Sequence, residues 1–179
     1  MEFFDTYREI LRCELVYATG CTEPIAIAYA AAVARQTLGA MPERLVVLCS
    51  GNIVKNVKSV IVPGTGGLRG IEAAALIGAV GGDAGAGLNV LHGVTEAHRA
   101  ETAALLESGA CSVGLLESEE PLHIRLSAEG GAHRAEVEIR GSHTNIVCRR
   151  LDGVVPGRGA ETFPQYTDGV RLLARLRDF

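Results

Sequence analysis

Residues 25–34 read IAIAYAAAVA, ten apolar or aromatic residues without a break. The run is far short of the roughly 20 residues that cross a bilayer as a helix. It must therefore be buried within protein on most of its sides. Its many alanines let neighbouring backbones approach closely. Gly20 precedes it, Thr22 is placed to cap a helix, and Pro24 suits a first turn, where a missing N–H costs nothing. A second apolar helix is expected over residues 70–80 (GIEAAALIGAV), polar only at Glu72. Two such helices need a partner layer.

That layer is legible further on. Leu122, Ile124 and Leu126 alternate with His123, Arg125 and Ser127, and Ala135, Val137 and Ile139 alternate with Arg134, Glu136, Glu138 and Arg140. Alternation of period two marks strands with one wet face. Glu129-Gly130-Gly131 joins them as a hairpin. Residues 44–49 (RLVVLC), 112–116 and 145–151 predict further strands. Phe4, Tyr7, Leu11 and Leu15, three or four apart, predict an amphipathic helix over residues 3–16. Residues 52–58 predict a short helix or turn, residues 88–93 a short helical piece, and Thr95 caps a helix running to Ser108 and closed by Gly109. Residues 156–166 read as loop and 168–177 as a terminal helix. Helices, one early strand, helices, then clustered strands define an α+β fold. The expectation is a single domain, residues 1–179, with apolar Ala/Gly-rich helices packed on one face of a mostly antiparallel sheet.

Hydrophobic residues make up 47% and charged residues 21%, which excludes a disordered chain. The formal net charge of -4, with no basic block, argues against nucleic acid as a partner. No signal peptide or membrane span is expected, so the reading is a soluble, cytoplasmic protein. The five cysteines form no CxxC pair, so a compact zinc motif is absent. Cys13, Cys49, Cys111 and Cys148 fall at helix and strand positions and read as core. His92, His98, His123 and His133 have no ligand-like spacing.

Four stretches carry candidate chemistry. Cys21 stands just ahead of a helix start, where the dipole and free N–H groups favour a thiolate, the form that binds metal. Glu23 opposes this at short range, and a small buried side chain at a helix start is the alternative. Asn52, Lys55 and Asn56 share one face if locally helical. Two amides and an amine there suit an amino acid, and Lys55 suits a general base. A solvated turn is the alternative. Only Lys55 and Lys58 are lysines among 17 basic side chains. Pro63-Gly64-Thr65-Gly66-Gly67 is a glycine-rich loop of the kind that presents N–H groups to anions, although it matches neither the Walker nor the dinucleotide pattern. On spacing alone a tight turn between packed helices is the better explanation. Gly141-Ser142-His143-Thr144-Asn145 sets four hydrogen-bonding side chains into an alternating sheet, where a bulge or a ligand would use them.

Taken in order, GCTEPIAIAYAAAVA, SGNIVKNVKSVIVPGTG, GIEAAALIGAVGG and SHTNIV resemble the N-terminal part of the L-cysteine desulfidase family, itself related to the iron–sulfur L-serine dehydratase alpha chain. The resemblance covers about residues 18–155. It implies a pyruvate-forming lyase of amino-acid catabolism that uses a [4Fe–4S] cluster to release sulfide and ammonia from L-cysteine, or water and ammonia from L-serine. It implies Cys21 as a metal ligand and sets Asn52, Lys55, Asn56, His143, Thr144 and Asn145 near a small amino-acid substrate; with the residue readings above, Lys55 is the expected catalytic residue and Thr65 a further substrate contact. Members are considerably longer, with their remaining cluster cysteines in a later half. A [4Fe–4S] cluster is thus expected in the complete enzyme and not in this chain alone, with a missing C-terminal half or partner subunit as its partner. A non-catalytic amino-acid-binding or assembly domain is the alternative, and homo-oligomer formation stays open.

Overall fold

The structure is a computed structural model that describes residues 2–15 and 20–155. Helix α1 (Glu2–Glu14) comes first, then α2 (Thr22–Leu38), β1 (Arg44–Cys49), α3 (Gly51–Val57) and α4 (Gly70–Gly81). After a 3-10 turn at Gly87–Asn89 come α5 (Glu96–Glu107), β2 (Cys111–Leu115), β3 (His123–Gly130), β4 (His133–Arg140) and β5 (Ile146–Leu151). The loop and terminal helix expected over residues 156–177 lie outside the described residues.

The five strands lie in the order β2-β1-β3-β4-β5. β1 pairs parallel with β2, and the other neighbours are antiparallel. The fold is α+β, with α2 and α4 on one face of the sheet. Leu45, Val47, Cys49, Ile124, Leu126, Ala128, Ala135, Val137 and Ile139 point into that core and are buried. The other face carries Arg125, Glu129, Arg134, Glu136, Glu138 and Arg140, cross-linked by ion pairs such as Arg134–Glu136 at 3.1 Å. These pairs keep the sheet's second face wet and add little stability individually.

Helix α2 is buried from Pro24 to Ala34 because it lies between the sheet and α4. A Cβ on Gly78 would meet the Ala28 carbonyl, and one on Gly82 would stand 2.9 Å from the Ala32 Cβ. Both contacts advance along the two chains in the same direction, so α2 and α4 run parallel and their N-termini share one end of the molecule. At the far end the Arg35 guanidinium donates to the carbonyls of Val80 at 3.0 Å and Gly82 at 2.9 Å. It satisfies acceptors that the end of α4 leaves open.

Several sequence expectations shift in detail. Cys21 occupies the N-cap position of α2 and Thr22 is its first helical residue. The Thr22 hydroxyl goes to the Glu23 carboxylate at 3.4 Å rather than to the helix backbone. The piece after residue 87 is a single 3-10 turn. Thr95 does cap α5, in a reciprocal arrangement with His98. Cys49 is buried in the core and Cys111 borders it, whereas Cys148 stands opposite Glu138, which belongs to the wet face. Among the described residues no helix is long and apolar enough to cross a membrane.

Candidate functional site

The N-terminus of α2 is wedged against the glycine-rich loop: a Cβ on Gly20 would lie 2.6 Å from Pro63 Cγ. This contact holds the cap residue in place. Cys21 adopts an extended backbone (φ -60, ψ 125), and its side chain makes no capping bond. Its thiol donates instead to Glu23 Oε2 at 3.0 Å. Asn56, on α3, donates through Nδ2 to Glu23 Oε1 at 3.3 Å. His143, from the loop between β4 and β5, is close enough to Glu23 to feel its charge. Three stretches far apart in sequence thus meet around one carboxylate.

The electrostatics reverse one expectation. Burial and the hydrogen bond to the Glu23 carboxylate push the Cys21 thiol above its ordinary range, and the Glu23 backbone N–H, which favours the thiolate, does not offset them. The helix start alone would have lowered it. The Cys21 hydrogen bond, first of all, holds the Glu23 carboxyl below the usual range, and His143 and Asn56 add to this against burial. Burial holds the His143 imidazole below its ordinary value, and the Glu23 charge works the other way without reversing it.

The remaining candidates divide. On α3, Ile53 and Val57 face the core, while Asn52 and Lys55 are exposed. Lys55 has no ion pair among the described residues. Thr65 is buried, and its hydroxyl donates to the Val62 carbonyl at 2.7 Å, with the Leu68 carbonyl at 3.3 Å. That hydroxyl shapes its own loop. Asn145 likewise bonds inward, its Nδ2 reaching the Arg140 carbonyl at 2.8 Å. The Thr144 methyl lies against the 3-10 turn, 3.9 Å from where a Gly87 Cβ would be. Beside His143, the Ser142 hydroxyl is buried with no partner among the described residues.

Glu23 is the residue that sequence reasoning treated only as an obstacle to the thiolate. A signal existed: it is the one acid on α2, two residues ahead of the apolar run 25–34. On the other side of the PGTGG loop, Thr65, Gly66, Glu96 and Arg99 line an open groove of about 430 Å³. Arg99 is already engaged there, donating to the Gly64 carbonyl at 2.9 Å and to Glu96 at 2.8 Å.

Among the described residues no group of three or more His, Cys, Asp or Glu is arranged to hold a metal ion. Cys49 lies in the core, where burial above all pushes its thiol up to about 12, and burial does the same to Cys111. Cys21 is the one thiol that the described fold brings to the site. A cubane cluster is held by three or four ligands. The donor set does not fit a complete iron–sulfur cluster; it fits a single attachment to one.

The fold and site define an α+β domain in which a thiol, a carboxylate, an amide and an imidazole meet at the start of a buried helix. The chain is similar to proteins named UPF0597. It is 52% identical over 147 residues to one from Lachnoclostridium phytofermentans, covering 82% of this chain and 35% of the relative. It is 49% identical over 142 residues to one from Finegoldia magna, covering 79% and 34%. It is 42% identical over 184 residues to one from Aeromonas hydrophila, covering 97% and 42%. The chain therefore spans about a third of the length of the curated relatives it matches. No family model matches the chain, and no solved structure matches it significantly.

Proposed function

We propose that residues 1–179 act as the N-terminal domain or subunit of an iron–sulfur-dependent lyase that converts L-cysteine, or L-serine, to pyruvate and ammonia with loss of sulfide or water. The observation that carries this reading is the meeting of Cys21, Glu23, Asn56 and His143. These residues come from the same stretches that resemble the desulfidase family. In the proposal, Cys21 gives one thiolate to a [4Fe–4S] cluster, and the other thiolates come from outside the described residues. The greater length of the relatives leaves room for them.

Elimination needs a base to take the proton from the substrate's α-carbon while the β-substituent leaves with its bonding electrons. Lys55 and His143 are the bases at hand. His143 has the better standing, because burial favours its neutral form. Asn56 and Asn52 orient the substrate from α3.

The partner proposal rests on α1. Phe4, Tyr7, Leu11 and Leu15 are each more than half exposed. A contiguous apolar stripe of this kind marks an interaction surface. The test is reconstitution. The chain is combined anaerobically with the remaining two thirds of a relative, iron and sulfide, and pyruvate is measured from L-cysteine and L-serine. The expected result is pyruvate formation that Cys21→Ala abolishes. An inert assembly, or one indifferent to Cys21→Ala, overturns the proposal.

A further inference from the structure

A half-buried carboxylate is ordinarily matched by a cation. Glu23 is an exception. Its oxygens accept from a thiol, a hydroxyl and an amide, all neutral donors. The ion pairs of the described residues all involve other carboxylates, and none reaches Glu23. Of its neighbours, Asn56 is neutral, and burial favours the neutral form of the His143 imidazole, so neither fully offsets the charge. Lys55 and Lys58, in and at the end of the helix that carries Asn56, are exposed and enter no ion pair among the described residues, and Lys55 is adjacent in sequence to the Asn56 that holds Glu23. The arrangement is an anchored negative charge with an exposed positive charge on the helix that holds it. It complements a zwitterion.

We propose that Glu23 receives the ammonium group of the amino-acid substrate, while Lys55 attracts its carboxylate. This rests on the lyase reading for the identity of the substrate. The geometry also gives Asn56 a purpose that a general hydrogen-bonding site would not need: it fixes Oε1 and leaves the carboxylate's remaining acceptor directions for a charged donor. An ammonium with its three N–H donors suits an acceptor-only group. Hydrogen bonds with both partners charged are stronger than neutral ones, so removing the charge at Glu23 should be felt most by ligands that carry an amine.

The experiment compares two ligands that differ in that amine. L-Serine and 3-hydroxypropionate share a carboxylate and a hydroxyl, and only the first has an ammonium group. Each is titrated calorimetrically into the full chain, as wild type, Glu23→Gln and Glu23→Asp. Glu23→Gln keeps the size and can still accept from Asn56. The expected result is that wild type prefers L-serine at least tenfold. Glu23→Gln should lose that preference while holding 3-hydroxypropionate as well as before, and Glu23→Asp should keep part of it. A preference that survives Glu23→Gln, or a wild type with no preference or no binding, overturns the inference. The lyase reading fails separately: a chain that discriminates through Glu23 but yields no pyruvate in the reconstituted assembly removes the reaction and leaves the ammonium site.

Discussion

His143 sits half-buried in a loop that also carries the unpartnered Ser142 hydroxyl. Burial disfavours its cation, so its folded-state value lies below the ordinary 6.5. In the window between the two values the unfolded chain binds a proton that the folded chain refuses. Stability therefore rises with pH through that window, levels off above about 6.5, and is lost as pH falls. His143→Gln should flatten the dependence of stability on pH between about pH 5 and 7. Urea denaturation of both proteins across that range checks it, and parallel curves would show that the imbalance lies elsewhere. Much of this site was visible before the fold. Cys21, Asn56 and His143 stood out because polar or reactive groups interrupted apolar patterns. Glu23 did not stand out as their centre, since no spacing along the chain places residue 23 beside 56 and 143. Thr65 and Asn145, read as contacts to a ligand, also bond their own loops. Short polar side chains compete for nearby backbone, and sequence alone does not reveal which acceptor wins.

Helices α2 and α4 raise the same question for whole elements. Their burial is written in the residues, as is the alternation of β3 and β4. Their parallel approach is not, because it depends on Gly78 meeting the Ala28 carbonyl across a gap of fifty residues. Nor does local pattern reveal that β1 lies between β2 and β3, a pairing made by chain distant in sequence. Gly78→Ala separates local preference from packing. Alanine is a better helix former than glycine by about 1 kcal/mol. Here the added methyl would overlap backbone, which cannot swing aside as a side chain can. Overpacking of this kind costs about 1–3 kcal/mol, so the variant should be destabilised by about 2 kcal/mol despite its better propensity. Gly93 is the control, because a Cβ there has nothing within 4 Å. Gly93→Ala should stay within about 0.5 kcal/mol of wild type. Equal stability of the two variants would mean that α2 and α4 are farther apart than described.

Scaled to the whole molecule, the question is what the chain leaves uncovered. The core between sheet and helices is closed: α2 and α4 are buried along most of their length. Helix α1 is different, since its sequence has the amphipathic period of a packed helix while Phe4, Tyr7 and Leu11 remain largely exposed. Periodicity told where the apolar stripe runs; it did not tell what the stripe faces. About two thirds of the length of these relatives lies outside the matched region, which makes that further chain the proposed occupant. Two measurements on one variant decide the matter. Replacing Phe4 and Leu11 by serine removes no contact from the core, so the melting of the chain alone should change by no more than about 0.5 kcal/mol. The same double substitution should weaken association with the remaining two thirds of a relative by at least tenfold, because large apolar anchors carry most of an interface's energy. Destabilisation of the isolated chain would show that α1 already packs within it. Unchanged association would place the contact on another surface, and would leave the exposed stripe without a role in assembly.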